Sequence, residues 1–363
     1  MQKKADGQFY APKGKAKPVC GPGEFRIGVI GLDHGHIYGI CNGFTEAGAE
    51  VVKVWDPDPA KVTAFRERFP GAAAVADERA ILEDPAIRMV VAAPIPCERG
   101  GLGVRVMTHG KDYFCDKPPF TLKSDIDAAR AKAKETGRKF GVYYSERLHV
   151  EASVYAEKLI SEGAIGKVIQ VIGTGPHRIS LPQRPAWFFD RKKYGGIIVD
   201  LGCHQIEQIL FFTGAKDAKI ATSRLARYKF TEYPDFEDFG DASLVMDNGA
   251  SGYFCVHWFT PDGLGAWGDG RTFIHGTEGY LELRKYIDVA ANPEGDHVIL
   301  VNHEGEYHIN AAGTVGFPFF GRFVRDCLDR TSLAMDQELV FRAIELAIEA
   351  EEKALPALLR QGA

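Results

Sequence analysis

Between Phe25 and Tyr143 the chain alternates two kinds of segment. Short apolar runs (Arg26 to Ile30, Val51 to Trp55, Met89 to Ala93, Tyr113 to Cys115, Phe140 to Tyr143) are separated by helical-looking stretches such as Ala60 to Phe69 and Ser124 to Thr136. Antiparallel strands can be joined by a two-residue turn, whereas parallel strands need a long crossover. Strands that alternate with helices therefore imply βαβ units around a parallel sheet. Residues 25–145 are expected to form a doubly wound α/β domain.

The rhythm changes after about residue 145. A helix near Val150 to Ser161, a strand at Lys167 to Gly173 and a helix at Ile197 to Thr213, closed by Gly214, come first. Three hairpin signals follow, Asp247-Asn248-Gly249, Thr277-Glu278-Gly279 and His303-Glu304-Gly305, each between strand-like runs. Two helices, roughly Phe317 to Asp329 and Gln337 to Leu355, end the chain. Residues 146–363 thus read as an α+β domain with an open, mainly antiparallel sheet, whose last helices can pack back on the first domain. Residues 1–24 carry Lys3, Lys4, Lys13, Lys15 and Lys17 with Gly and Pro but no apolar run, and read as an extended arm.

At 363 residues the chain is long enough to bury two cores. Its net charge is −5, with Lys and Arg dispersed among Asp and Glu, which argues against nucleic acid as a partner. No window reaches the roughly 18 consecutive apolar residues of a membrane span. The seven cysteines are scattered and contain no C-x-x-C pair, so neither a disulfide framework nor a structural zinc site is indicated. A reducing, cytoplasmic setting is expected.

The stretch Gly31-Leu32-Asp33-His34-Gly35-His36 follows the first strand and opens a helix, the place of a dinucleotide-binding fingerprint. Such a fingerprint wants three glycines. Gly31 supplies the first, Asp33 and His36 stand at the second and third, and Gly35 offers freedom at a displaced position. Asp56, at the end of the next strand, is where an acidic side chain accepts from ribose hydroxyls. Nucleotide binding is expected. For Asp33, His34 and His36 three readings stay open: they hydrogen-bond the loop and cap the helix, one of them faces the substrate, or the histidines bind a metal. An H-x-H without a third ligand nearby in sequence is weak evidence, so no metal is expected.

Lys117, in "FCDKPPF", ends a strand at the carboxyl edge of the sheet, where open α/β sheets gather ligands; a plain surface lysine is the alternative. In "GGIIVDLGCHQIEQILFFTG", Asp200 and His204 are i and i+4 and share a helix face with Glu207, Gln208 and Phe211 nearby. This stripe is either solvated surface or the wall of a cleft, and Gly195-Gly196 just upstream permit close approach of another group. "GTGPHRISLPQRPAWFFD" holds His177, Arg178, Arg184, Trp187 and Asp190 in a long aromatic loop. It suits the hydroxyls and C–H faces of a sugar, or else is simply a packed surface loop. Tyr144, Glu146 and Arg147 follow the last strand of the first domain, where they line the cleft or bridge the domains.

Together, the strand-loop-helix start, Asp116-Lys117-Pro118 and the Gly195-Gly196…Asp200-x-x-x-His204 stretch resemble the glucose-fructose oxidoreductase and inositol dehydrogenase family, Gfo/Idh/MocA, over nearly the whole chain. The resemblance implies a Rossmann domain for NAD(H) or NADP(H) and a C-terminal domain whose open sheet is often used for oligomerisation. It also implies oxidation or reduction of a sugar or polyol hydroxyl. By position, Lys117, Asp200 and His204 match the family's catalytic lysine, aspartate and histidine, while Ala93, Pro94 and Asp116 fall in its cofactor-binding segments. Three places depart from the family pattern: Asp33 stands for the second glycine, Ala93 to Glu98 replace Thr-Pro-x-x-x-His, and Glu207 replaces the aspartate three residues after the histidine.

The expected activity is that of an NAD-dependent dehydrogenase or reductase at a secondary hydroxyl of a sugar, glycoside or cyclitol. His204 would take the hydroxyl proton, Lys117 would stabilise the oxygen, and Asp200 would fix substrate hydroxyls or the imidazole. Tyr144, Arg147, His177, Arg178 and Trp187 would shape the substrate site. NAD is favoured over NADP because a 2′-phosphate would meet Asp56 and Asp58, and the nearest cation in sequence, Lys61, lies a turn into the next helix. One alternative is a glycoside-cleaving or epimerising enzyme that oxidises a sugar hydroxyl transiently with tightly held NAD; another is a catalytically silent binding protein of the same fold. A homo-oligomer, dimer or tetramer, is expected.

Overall fold

A computed structural model describes residues 14–356, which divide into two compact units: residues 14–149 with 313–341, and residues 150–312 with 342–356. Of the N-terminal arm, residues 1–13, with Lys3, Lys4 and Lys13, lie outside the described residues, and residues 14–24 contain no helix or strand. Among the described residues no helix is long and apolar enough to cross a membrane.

The first unit is built on β1 (Arg26–Leu32), α1 (His36–Glu46), β2 (Glu50–Trp55), α2 (Pro59–Arg68), β3 (Ala73–Ala74), α3 (Arg79–Leu82), β4 (Met89–Ala93), α4 (Pro96–Thr108), β5 (Asp112–Asp116), α5 (Lys123–Thr136), β6 (Phe140–Tyr143) and α6 (Ser145–Leu148). The strands form a six-stranded parallel sheet in the order β3-β2-β1-β4-β5-β6. Every residue of β4, β5 and β6 is buried, as strands covered on both faces must be. Part of that cover comes from the helix Pro318–Asp329. Its Phe320 meets Phe44 of α1 with ring centroids 5.2 Å apart, and its Phe323 meets Phe114 of β5 at the same 5.2 Å.

In the second unit α7 (Glu151–Ser161) leads to β7 (Val168–Pro176), then α8 (Arg191–Tyr194), a π-helical turn (Ile198–Gly202) and α9 (Cys203–Thr213). The strands β8 (Ala218–Ala226), β9 (Phe239–Met246), β10 (Ser251–His257), β11 (Arg271–Gly276), β12 (Gly279–Arg284), β13 (His297–Asn302), β14 (Gly305–Asn310) and β15 (Leu355–Pro356) follow. They form one sheet in the order β14-β13-β12-β11-β7-β10-β9-β8-β15. The three predicted turns close the hairpins β9–β10, β11–β12 and β13–β14. The sheet is mixed, because β7 runs parallel to β10 and β15 parallel to β8. α9 lies against β7, while Ile169, Val245, Tyr253, Tyr280 and Tyr307 remain exposed.

Phe320 is wholly buried against Phe44, Tyr143 and the ring of His149. Phe320→Ala removes that packing and leaves a cavity, so chemical denaturation should show a loss of about 3–5 kcal/mol. A loss below about 1 kcal/mol would mean that the helix is not part of this core.

Candidate active site

The turn from β1 to α1 is shaped by Gly31, whose φ of +82° suits glycine and whose missing side chain matters as well: a Cβ there would lie 2.8 Å from Pro94 Cβ. The next N–H, that of Leu32, donates to Asp56 Oδ2 at 2.7 Å, and the N–H of Asp58 donates to Asp56 Oδ1 at 2.8 Å. Burial pushes the Asp56 carboxyl up, against these two backbone donors. Each of its oxygens keeps a further lone pair. His34 is fixed by its N–H to the carbonyl of Ala93 at 3.1 Å. α1 begins after Gly35 with no acidic residue in its first turn, and the His36 N–H donates to His34 Nδ1 at 3.4 Å; the helix dipole at this end favours an anion.

Asp33 does not cap α1. Its Oδ1 instead receives Lys61 Nζ at 2.6 Å, a partner from α2 rather than a neighbour in the loop. That ion pair offsets the negative charge that Asp33 brings to the loop in place of the second glycine.

Asp116, at the carboxyl end of β5, is a fully buried hub. His36 Nδ1 lies 2.8 Å from its Oδ1, His34 Nδ1 2.9 Å from its Oδ2 and Arg99 Nη2 3.1 Å from its Oδ2, and the Lys117 N–H donates to Oδ1 at 2.8 Å. Burial alone would raise the Asp116 carboxyl; His36, Arg99 and His34 together hold it well below the usual range. Burial lowers the His34 imidazole to about 4, against the pull of Asp116, and lowers His149 to about 3. Asp116 is the third metal-capable group beside His34 and His36. The sequence argument against a metal, that no third ligand stood near the H-x-H, therefore does not hold, because the third group comes from another strand. Arg99 carries no local sequence signature. Buried in α4, it donates to the carbonyls of Pro94 (2.9 Å), Lys117 and Pro118 (3.1 Å) and so ties the β4 and β5 edges together. Lys117 itself is buried, as are Tyr144 and Arg147 at and in α6.

In the second unit, Asp200 lies in the π-helical turn and His204 one turn on in α9, so the stretch predicted as one helix is a π-turn followed by an α-helix. Such turns occur often at functional sites. Asp200, His204, Glu207 and Gln208 are all buried, which rules out a solvated face. Gly196 has φ +101°, and a Cβ on it would collide with the carboxylate of Glu351 from the helix Gln337–Lys353. Glu351 Oε2 accepts the Ile198 N–H at 2.9 Å, its Oε1 receives Arg191 Nη2 at 2.7 Å, and Arg191 Nη1 reaches Glu237 at 2.6 Å. The group that approaches the paired glycines is thus this carboxylate, which caps the first turn of the Asp200 and His204 helix.

The long aromatic loop divides its residues between roles. Arg178 is buried and its Nη2 donates to the carbonyls of Pro261 (3.1 Å), Leu264 (2.9 Å) and Ala266 (2.9 Å), the geometry of a loop clamp. Phe188 is buried, and Phe189 stacks on Tyr233 at 3.9 Å. Arg184 lies over the rings of Phe188 and Trp258, and Asp190 caps α8 through the Lys192 N–H. His177 sits against Trp267 at 4.4 Å and Trp187 is half-buried.

Residues 25–144 match the sequence model described as "Oxidoreductase family, NAD-binding Rossmann fold", and residues 154–282 match the GFO/IDH/MocA C-terminal domain. The chain belongs to the Gfo/Idh/MocA family. It is 28% identical over 264 residues to a Bacillus subtilis (strain 168) protein named scyllo-inositol 2-dehydrogenase (NAD(+)), covering 71% of this chain and 73% of that one. It is 27% identical over 172 residues to a Paenarthrobacter nicotinovorans protein named D-xylose dehydrogenase, covering 45% and 44%. A crystal structure from Erwinia carotovora atroseptica SCRI1043, described as an oxidoreductase, superposes with a TM-score of 0.89 at 46% identity, over 92% of this chain and 100% of that one.

As a member of the Gfo/Idh/MocA family the chain carries an NAD-binding Rossmann fold, and the loop from Gly31 to His36 with Asp56 is the part of it whose donors and acceptors fit a dinucleotide. The residues missed from the sequence, Arg99 and Glu351, act through partners far along the chain and have no local signature.

Burial, opposed by Arg191 and aided by Glu237, pushes the Glu351 carboxyl up to about 8. A carboxyl raised on folding stabilises the fold below its unfolded pKa of 4.5 and loses that contribution as the pH rises through about 8. Thermal melts should therefore show the wild type losing stability relative to Glu351→Gln as the pH rises across that interval. A constant difference between the two proteins would contradict the assignment.

Proposed function

We propose that the protein is an NAD(H)-dependent dehydrogenase or reductase acting on a secondary hydroxyl of a sugar, glycoside or cyclitol, with Lys117, Asp200 and His204 as its reacting groups. The observation that carries the proposal is that the family's lysine, aspartate and histidine positions are all retained and all three side chains are buried. Buried charged residues are rare outside paired or functional settings. The inositol and xylose dehydrogenases among the relatives are named for polyhydroxylated substrates, which supports the same class here. Bound in the Rossmann domain, NAD would supply a hydride acceptor for the carbinol C–H. His204 takes the hydroxyl proton at an imidazole nitrogen. Lys117 holds the oxygen and stabilises the negative charge that develops on it. Asp200 accepts from a substrate hydroxyl or from the imidazole. His177, Trp187, Tyr144 and Arg147 are assigned to the substrate, whereas the clamp geometry of Arg178 favours a supporting role.

The Asp33 to His36 loop is assigned to nucleotide and substrate, and not to a metal. Asp116 already faces the Arg99 guanidinium, and Lys117 is the next residue, so a divalent cation would add to two positive charges in a buried site. Stoichiometric metal that survives chelation and is needed for turnover would reverse this assignment. A homo-oligomer, dimer or tetramer, is supported by the exposed Val245, Tyr253 and Tyr280 on the open sheet. A cytoplasmic setting is supported by the scatter of the seven cysteines, which include no C-x-x-C pair.

With sugars, glycosides and inositols offered alongside NAD, His204→Ala should lower turnover by roughly 10²- to 10⁴-fold while nucleotide affinity barely changes. Lys117→Ala should do at least as much damage, and the double variant should cost far less than the product of the single effects, because both groups serve one step. Wild-type alcohol oxidation should rise with pH through titration of the base. Near-normal turnover in His204→Ala with an unchanged pH profile would place the base elsewhere. Bond cleavage without accumulation of reduced nicotinamide would favour transient oxidation over net redox.

A further inference from the structure

Beside the ribose-binding carboxylate the structure holds a cation whose position sequence distance does not convey. Lys61 lies in α2, yet its Nζ is 2.6 Å from Asp33 Oδ1 and 3.9 Å from Asp56 Oδ1. Asp56 is anchored by the N–H groups of Leu32 and Asp58, while Asp58 caps α2 through the N–H of Ala60. Burial alone would lower the Lys61 ammonium; Asp33, Asp56 and Asp58 outweigh it and keep the lysine charged. A 2′-phosphate on a nucleotide whose ribose hydroxyls sit on Asp56 would come within reach of this ammonium. The expectation that no cation serves that place therefore needs a different reason from distance.

We propose that Asp33 sets nucleotide preference through Lys61: by holding the ammonium in an ion pair, the residue that replaces the second fingerprint glycine withholds from a 2′-phosphate the cation that would bind it. The proposal rests on the nucleotide site and is independent of which hydroxyl compound is oxidised. With Asp33 present, a 2′-phosphate meets the carboxylates of Asp56 and Asp58 and a lysine already engaged. With Asp33 removed, Lys61 is free to make a charge-assisted hydrogen bond to the phosphate. A 2′-hydroxyl makes no such demand, so the adenosine ribose of NAD draws nothing from a released ammonium. The same ion pair neutralises Asp33 toward the pyrophosphate, which both nucleotides share.

Calorimetric titration of the full-length protein with NAD⁺ and with NADP⁺ tests this without any sugar. Asp33→Ala should tighten NADP⁺ binding by roughly 10- to 100-fold, the worth of one charge-assisted hydrogen bond. Its NAD⁺ affinity should change by less than about fivefold, the scale of a half-exposed ion pair. Asp33→Asn, which keeps the size of the side chain, should move preference the same way and covers the case of a poorly folded alanine variant. The decisive protein is Asp33→Ala/Lys61→Ala, in which the gain for NADP⁺ should vanish. A gain that persists there would show that Asp33 acts through its own charge, and would overturn the proposal. So would an unchanged NADP⁺ to NAD⁺ ratio in Asp33→Ala and Asp33→Asn. Failure of the wild type to bind either nucleotide would instead overturn the nucleotide site itself, and the proposal with it.

Discussion

The buried carboxylate of Asp116 organises the first unit's site. A carboxylate removed from water is tolerated only when it is paired and hydrogen-bonded, and Asp116 achieves this by drawing in His34 and His36 from the β1–α1 turn, Arg99 from α4 and the backbone of Lys117. Three segments that are distant in sequence thereby meet at one point on the carboxyl edge of the sheet. Arg99 extends the arrangement by gathering the carbonyls of Pro94, Lys117 and Pro118. The shape of the nucleotide loop and the placing of Lys117 therefore share one electrostatic origin, and breaking a buried pair of this kind typically costs about 3–5 kcal/mol.

In the second unit the same physics works through a helix end. Glu351 supplies an acceptor to the first turn of the Asp200 and His204 helix, where backbone N–H groups only partly offset the burial that raises its carboxyl. Gly196 is glycine because that carboxylate occupies the space of its side chain. Arg191 then links Glu351 to Glu237, so the helix start is fixed from the helix Gln337–Lys353. The two sets of candidate residues are each held rigidly by buried charge rather than left on mobile surface.

The parallel sheet was legible because only crossovers explain apolar runs that alternate with helices, and the hairpins because Asn-Gly and Glu-Gly turns interrupt period-two strands. The strand-loop-helix context of Gly31 and Asp56 was legible for the same local reasons. Asp33 was not: in sequence it stands where a cap would be useful, but its partner Lys61 comes from the next helix and is found only by folding. The Asp200 to Gln208 stripe shows a different limit. Periodicity places polar residues on one face of a helix but cannot say what covers that face, and their burial decides it. The composition of the aromatic loop after β7 suits either a sugar or plain packing, and Phe188, Phe189 and Arg178 serve the unit's own packing through partners that sequence does not reveal.

The central claim is that hydride passes between a carbinol carbon and a bound nicotinamide, with His204 and Lys117 managing the hydroxyl. Its most direct test is a single-turnover mixture of the protein, NAD⁺ and inositol or sugar substrates carrying deuterium at the carbinol carbon. The account predicts that deuterium appears in the nicotinamide ring, and that Lys117→Ala abolishes the transfer without releasing the nucleotide. Bound nucleotide with no transfer of deuterium from any polyhydroxylated substrate would contradict it.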